Sequence, residues 1–263
     1  MTTSGPKPSK GDTGIVSIAR ALSKLGICSR AEGERLVAAG RVTVDGAMVR
    51  DLSFRLRPET AHIAIDAERV RRMERVYVAL NKPRGLVTTR HDPQGRATIY
   101  DCLSDTALPF LAPVGRLDKA SEGLLLLTND SRWSAQLLDP RSHLDKTYHV
   151  QVRALLDATA VARVEVGVIE ADSGETLSAK RVSLLRVGSR SSAWLEIVLD
   201  EGKNRHIRRL LAGLDIEVLR LMRVSIGALA LGTLAKGEWR MLTAAEVRGL
   251  SMPGRPSTGH APL

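Results

Sequence analysis

The chain has 263 residues, 43% of them hydrophobic, and is therefore long enough for two domains that each bury a core. It carries 39 Lys and Arg against 29 Asp and Glu, a formal net charge of +10 that favours a polyanionic partner such as RNA or DNA. Cys28 and Cys102 lack metal-ligand spacing, and the longest aliphatic run, 124–127, is too short to span a bilayer. We therefore expect a cytoplasmic protein without a zinc site, a disulfide framework or a membrane span.

Composition divides the chain into four segments. Residues 1–14 and 251–263 are rich in Ser, Gly and Pro, and we expect both to be flexible tails. Near residues 70–76, the charge-dense run Arg-Val-Arg-Arg-Met-Glu-Arg leads into an apolar strand pattern. This run separates a small module at 15–72 from a larger unit at 76–250.

The small module is predicted to contain two helices followed by a short hairpin. Apolar residues recur at helical spacing from Ile18 to Leu25, and Gly26 is expected to end this helix. The capping box Ser29-Arg-Ala-Glu32 begins a second helix. A strand pattern then runs into Asp45-Gly46, the residue pair that favours a tight hairpin turn.

Basic residues around these helices are candidates for contacts with RNA phosphates. They are Arg20, Lys24, Arg30, Arg35 and Arg41. Each one alone is more typical of a solvated helix face. The whole segment ALSKLGICSRAEGERLVAAGRVTVDG, however, resembles the RNA-binding module named for the ribosomal small-subunit protein S-four. The resemblance covers about 15–72 and implies binding of structured RNA.

The larger unit mixes strand patterns with a few helices. Residues 146–152 and 193–199 alternate as half-buried strands do, 204–214 has one apolar helical stripe, and a capping box at Thr243–Glu246 begins a closing helix. Runs of strands with interspersed helices predict an α+β fold with a mixed, largely antiparallel sheet flanked by helices.

The most informative stretch of the larger unit contains Gly-Arg-Leu-Asp118 and then Ser-Glu-Gly-Leu-Leu-Leu-Leu-Thr-Asn. A polar loop between apolar segments presents one carboxylate, although an aspartate there is equally typical of a turn cap. The stretch resembles the signature of RNA pseudouridine synthases of the RsuA-like branch. Three further stretches match in the same order, namely NKPRG at 81–85, KTYHV at 146–150 and EGKNRHIRRL at 201–210.

The resemblance implies a role for three residues. Asp118 matches the catalytic aspartate of the family, Tyr148 the tyrosine that stacks on the target base, and Arg208 the arginine that pairs with the aspartate. His206 stands where the family pattern has Gln, and we expect it to contact the protein interior or the RNA backbone. A carboxylate nucleophile suits a reaction that breaks a glycosidic bond, and the target base must first leave its stack. No cofactor or metal is expected.

Further basic residues of the larger unit are candidates for positioning the RNA, with solvated loop residues as the alternative. They are Lys82, Arg84, Arg116, Lys203 and Arg205. The expected partner is structured RNA, either ribosomal RNA or a ribosome-assembly intermediate, bound by a monomer. Residues 90–103 are more similar to family members that modify large-subunit RNA, whereas 144–148 is similar to the small-subunit member, and we favour the large subunit.

Three rival functions make different demands on the sequence. A ribosome-assembly factor that keeps the fold without catalysis would not need Asp118, Tyr148 and Arg208 together. A methyltransferase would need a glycine-rich cofactor loop, and the sequence has no Gly-x-Gly-x-x-Gly. A glycosidase would need a second carboxylate paired with Asp118, and Glu122 is too close in sequence to be assigned that role.

Overall fold

The computed structural model describes residues 14–104, 106–170, 173–187 and 192–251. Apart from Gly14 and Ser251, the two predicted tails lie outside the described residues. The chain forms two compact units. The N-terminal unit contains the residues up to Val76 together with Leu108–Ala112 and Thr128–Arg132, and the C-terminal unit contains the remainder.

The N-terminal unit contains two helices and six short strands. They are β1 (Val16–Ser17), α1 (Ile18–Lys24), α2 (Arg30–Ala38), β2 (Val42–Val44), β3 (Ala47–Met48), β4 (Arg55–Leu56), β5 (Ile63–Ile65) and β6 (Glu68–Arg69). β1 pairs with β4, and the other strands form a sheet in the order β3-β2-β5-β6. Both sheets are antiparallel, and the apolar faces of α1 and α2 pack with them around one core.

The predicted local signals of the N-terminal unit are present in the structure. Gly26 has a φ of 77° after α1, where a residue without a Cβ is favoured. The Ser29 hydroxyl accepts a hydrogen bond from the Glu32 amide over 3.1 Å and caps α2. Asp45 and Gly46 both have positive φ in the hairpin turn between β2 and β3, as the sequence predicted.

In the described residues, the C-terminal unit has eleven strands, nine of which form one sheet. Its strands are β7 (Tyr77–Lys82), β8 (Ala112–Val114), β9 (Glu122–Thr128), β10 (Lys146–Arg153), β11 (Val168–Ile169), β12 (Thr176–Leu177), β13 (Arg181–Val187), β14 (Ala193–Leu199), β15 (Glu217–Ile226), β16 (Leu229–Ala230) and β17 (Trp239–Met241). The main path is β13-β14-β10-β15-β9-β7-β17, with β16 beside β15 and β8 beside β9, while β11 and β12 form a separate pair.

Four α-helices and two short 3₁₀ helices accompany this sheet. They are α3 (Ser131–Leu138), α4 (Ala158–Val166), α5 (His206–Ala212), α6 (Ala244–Ser251) and the 3₁₀ turns Ile99–Leu103 and Pro140–Ser142. One core includes Val164 of α4 and Leu210 of α5, and a second includes Trp133 of α3 and Leu250 of α6. The predicted α+β fold with a mixed, mostly antiparallel sheet is confirmed.

The buried strand β9 pairs in parallel with β15. Gly123 lies at the start of this pairing with a φ of +100°, and a Cβ added there would stand 2.3 Å from the Arg223 carbonyl oxygen. Only a residue without a side chain allows the two backbones to approach so closely. Gly123 therefore fixes the point at which the preceding loop ends and β9 begins.

Candidate active site

Asp118 lies in the loop between β8 and β9, and 34% of its side chain is exposed. The Ser121 amide donates to the Asp118 carbonyl oxygen over 2.9 Å, so the loop closes on itself just before the buried strand begins. A carboxylate is thus presented to solvent on a short loop attached to the centre of the sheet. The sequence predicted this placement.

Lys82, at the end of β7, holds the backbone of this loop through hydrogen bonds. Its Nζ donates to the carbonyl oxygens of Asp118 at 3.2 Å, Ser121 at 2.8 Å and Pro83 at 3.0 Å. An ammonium group has three N–H donors, so all three are used. Burial lowers the pKa of Lys82 to about 8, against the opposing effect of the Asp118 charge.

The structure corrects the prediction that Lys82 contacts RNA. Its side chain is fully buried, and phosphate oxygens cannot reach an ammonium group that is already enclosed by three carbonyls. The residue type alone does not distinguish a buried lysine from an exposed one. The buried pattern of the rest of β7 was the available signal, because Lys82 continues it.

We expect Lys82→Met to lower the free energy of unfolding by about 3 kcal/mol or more, because buried carbonyls that lose their donor cost about 1–3 kcal/mol each. Urea denaturation of the purified protein measures this change. Lys180→Met is the matched control, since Lys180 is half exposed and pairs with Asp145 at the surface, and its loss costs less than about 1 kcal/mol. Equal stability of the two variants would contradict the assigned role.

Two further contacts hold the same loop. The Gly85 amide donates to the Lys119 carbonyl oxygen over 2.7 Å, and the Thr88 hydroxyl donates to the Leu117 carbonyl oxygen over 2.6 Å. The residues on either side of Asp118 are therefore each fixed by a partner from the segment that follows β7. The NKPRG motif and Thr88 thus position the aspartate through its backbone.

Arg205 forms the ion pair with Asp118, with 3.6 Å between Arg205 Nη1 and Asp118 Oδ2. Arg208 Nη2 instead donates to the Ala120 carbonyl oxygen over 3.2 Å. The sequence assigned the pairing to Arg208 and a phosphate contact to Arg205, so the structure differs in which arginine touches the carboxylate. The reason is local: α5 begins at His206, and Arg205 precedes it with a φ of 49°, a left-handed conformation that no sequence pattern indicated.

Arg208 is nevertheless part of the same electrostatic group. Burial lowers the pKa of its guanidinium, and the neighbouring charges of Arg205 and Arg84 act in the same direction, while the charge of Asp118 opposes them. One carboxylate thus lies among several cations. This excess of positive charge favours an anionic ligand beside Asp118.

Tyr148 lies in β10 between Ile197 of β14 and Arg223 of β15. It is half buried and packs against the core that contains Val150. One part of the ring is therefore fixed by packing and the rest is accessible. This arrangement is compatible with base stacking, which stays a prediction.

His206 is buried in the protein interior, so of the two expectations for this residue the structure supports the interior contact. Its Nδ1 lies 3.5 Å from Glu201 Oε1, and burial lowers the pKa of the imidazole. The ring lies at the start of α5, directly after Arg205 in the chain.

Glu122 is also buried and forms ion pairs with Arg220 and with Lys236, the latter over 2.8 Å. Burial alone would raise the pKa of Glu122, but these two cations together lower it. Glu122 is thus a buried carboxylate held in ion pairs. The glycosidase alternative, which needs a second carboxylate facing Asp118, has no support here.

The remaining basic candidates differ in accessibility. Arg20, Arg30, Arg84 and Arg116 are exposed and Lys24 is half exposed. Arg35 pairs with Glu32, Arg41 is bound by both carboxylate oxygens of Asp66, and Lys203 pairs with Glu201 over 3.0 Å. The first group is accessible to phosphates, while the second must first give up a carboxylate partner.

Metal binding and membrane insertion find no support in the described part of the chain. Within the described ranges, no group of three or more His, Cys, Asp or Glu side chains could hold a metal ion. No helix in the part of the chain that the structure describes is long and apolar enough to cross a membrane.

Family models match both units of the chain. The model for RNA pseudouridylate synthase matches residues 76–213, which include Asp118, Tyr148 and both arginines, and the model for the S4 domain matches residues 18–61. The first match covers more than half of the chain. It spans the chain from β7 to α5 and so includes the whole loop that contains Asp118.

Individual relatives agree with these models. An RNA pseudouridine synthase of Aquifex aeolicus is 35% identical over 89% of this chain and 93% of its own length. Ribosomal large subunit pseudouridine synthase B of Bacillus subtilis is 32% identical over 88% of this chain and 93% of its own. A crystal structure of a pseudouridylate synthase superposes with a TM-score of 0.61 at 27% identity, covering 89% of this chain and 99% of the other. The chain belongs to the RNA pseudouridine synthase family and carries an N-terminal S4 RNA-binding domain.

Proposed function

We propose that this enzyme converts one uridine of large-subunit ribosomal RNA to pseudouridine, with Asp118 as the nucleophile. The observation that carries the proposal is the presentation of Asp118: an accessible carboxylate, paired with Arg205, on a loop whose backbone is held by Lys82. Such a group is oriented before the substrate arrives, which is what covalent catalysis requires.

The reaction is an isomerisation in which atoms are conserved. The bond between the ribose anomeric carbon and uracil N1 breaks, the uracil turns, and its C5 forms the new bond to the ribose. A proton leaves C5 and N1 gains one. Asp118 attacks either the ribose or the pyrimidine ring, and both routes start from an ionised carboxylate that Arg205 orients. The target nucleotide leaves its stack, and Tyr148 supplies a ring for the displaced base.

Ribosomal RNA of the large subunit is proposed as substrate on two grounds. The relative from Bacillus subtilis is described as a large-subunit enzyme. The second ground is the resemblance of residues 90–103 to large-subunit members that the sequence alone suggested. Pseudouridine mapping in ribosomal RNA tests this, using cells with the gene, without it, and with the gene for Asp118→Ala. A large-subunit site that is lost without the gene and not restored by Asp118→Ala is expected. An unchanged pseudouridine map would refute large-subunit ribosomal RNA as the substrate.

The two arginines beside Asp118 are expected to have different effects on the reaction. Arg205→Gln removes the charged partner of the carboxylate, so kcat should fall about 10²-fold, the usual scale for one charge-stabilising donor at a reacting group. Arg208→Gln removes a hydrogen bond to the loop backbone and should affect the free energy of unfolding as well as kcat. Steady-state kinetics and urea denaturation of both variants separate these roles. A larger loss of kcat in Arg208→Gln than in Arg205→Gln, at unchanged stability, would show that Arg208 is the partner of the Asp118 carboxylate.

Arg20 and Arg30 of the S4 domain are expected to add affinity without chemistry. The double variant Arg20→Gln/Arg30→Gln should bind the substrate RNA more weakly. The slope of log affinity against log salt concentration should become shallower by about 0.9 for each duplex phosphate that the variant no longer binds. Turnover at saturating RNA should be unchanged. Arg163→Gln, an exposed arginine on α4, is the control. A wild-type salt dependence in the double variant would exclude these contacts.

A further inference from the structure

The arginine-rich segment at the end of the N-terminal unit lines a cavity. Arg69, Arg71 and Arg72 lie along an open cavity of about 550 Å³, whose other walls include Glu59 and Ala61. The sequence indicated only a boundary between two units here. The structure shows in addition that these arginines belong to the wall of a concave site.

Backbone hydrogen bonds build this cavity and hold its arginine wall in place. The Val70 amide donates to the Ile63 carbonyl oxygen over 2.9 Å, and the Met73 amide donates to the Leu25 carbonyl oxygen over 3.1 Å. The segment between them is therefore tied at both ends to β5 and to the end of α1. The cavity exists before any ligand binds, which reduces the entropic cost of binding.

The chemistry of the lining is divided between charge and apolar surface. Among the residues that the structure describes, none of the three arginines forms an ion pair with a carboxylate, and all three are exposed. Leu25 and Val70 are half buried and add aliphatic surface. Unpaired guanidinium groups bind phosphate by paired hydrogen bonds, and aliphatic side chains pack against the face of a base.

We propose that this cavity binds one unpaired nucleotide of the RNA, with its phosphate at Arg71 and Arg72 and its base against Leu25 and Val70. The volume lies within the range of about 300–1,000 Å³ typical of small-ligand sites. The site differs from the helix surface of Arg20 and Arg30, since it lies at β5, β6 and the segment that follows. The proposal rests on the proposed function only in taking RNA as the source of the nucleotide.

The proposal is tested by RNA binding of the full-length protein. The two probes are a hairpin RNA with a short single-stranded overhang and the same hairpin without it. The wild type should bind the overhang RNA more tightly. Arg71→Gln and Arg72→Gln should each reduce this preference and make the salt dependence for the overhang RNA shallower by about 0.7, the value for one single-strand phosphate. Arg50→Gln, another exposed arginine of this unit, should change neither.

A neutral variant separates the cavity from general electrostatics. Ala61→Trp adds no charge but fills part of the cavity, so the preference for the overhang RNA should disappear while binding of the blunt hairpin stays at the wild-type level. A melting temperature near that of the wild type shows that the unit is folded. An overhang preference that is absent in the wild type, or that Arg71→Gln, Arg72→Gln and Ala61→Trp all retain, would overturn the proposal.

The source of the nucleotide is decided by competition with uridine monophosphate. Failure of this mononucleotide to displace the overhang RNA at millimolar concentration supports a nucleotide within RNA. If uridine monophosphate displaces the overhang RNA at micromolar concentration, and Ala61→Trp abolishes this displacement, the same site binds a free nucleotide. Pseudouridine formation is not part of either readout. A protein without pseudouridine activity that keeps the overhang preference would refute the proposed function and leave this site standing.

Discussion

Replacing Asp118 with asparagine is expected to abolish pseudouridine formation, with turnover lower by about four orders of magnitude or more. The amide keeps the size of the side chain and has no nucleophilic oxygen of comparable strength. The loop should keep its shape, because Lys82, Gly85 and Thr88 hold it by backbone oxygens and not by the carboxylate. Single-turnover assays with excess enzyme and detection of pseudouridine in the RNA measure the loss.

RNA affinity provides the first control for this experiment. It should stay at or slightly above the wild-type value in Asp118→Asn, since the substitution removes a negative charge near the RNA. Asp215→Asn is the matched substitution, because Asp215 is exposed and has a φ of 58°, a conformation that asparagine accepts. Its turnover should equal that of the wild type. Measurable turnover by Asp118→Asn at rates near the wild type would remove Asp118 from the mechanism.

Removing the hydroxyl or the ring of Tyr148 should give two distinct results. Tyr148→Phe keeps the π face, so RNA binding should be normal. If the hydroxyl also assists removal of the proton from C5 of the base, turnover should fall by roughly 10²–10⁴-fold, the usual scale of general-base assistance. Tyr148→Leu should impair both binding of the target nucleotide and turnover. Kinetics under single-turnover conditions, with RNA concentration varied, separate the two steps.

Tyr77→Phe serves as the control for hydroxyl removal. Tyr77 lies in β7 and its ring packs edge-on against Trp133 with centroids 4.9 Å apart, in the second core of the sheet. This variant should keep full turnover. Full activity of Tyr148→Leu would show that Tyr148 is only a residue of the core that contains Val150.

The sequence was sufficient for the fold class and for the position of the Asp118 carboxylate on its loop. The period-two patterns of β10 and β14, the capping residues of α2 and α6 and the apolar run of β9 each have a local cause, and local causes are readable in one sequence. The placement of Asp118 followed from a polar loop that precedes a buried strand.

The parts that the sequence did not predict depend on contacts between distant segments. The buried state of Lys82 depends on carbonyls 36 and 39 residues away in the chain. The pairing of Arg205 with Asp118 depends on a left-handed residue before α5. The insertion of β15 between β9 and β10 is equally invisible to periodicity, because register and strand order are set by packing and not by the pattern of one strand.

The position of β15 has a consequence for the synthesis of the protein. β9, which follows Asp118, and β10, which contains Tyr148, are successive long strands of the chain, yet β15 lies between them in the sheet. Their spacing is fixed only when residues 217–226 have joined the sheet, about a hundred residues after β9 was made. The S4 domain is synthesised long before that point, and non-local pairings of this kind close slowly. A growing chain therefore contains every residue of the S4 domain well before β15 brings β9 and β10 to their final spacing.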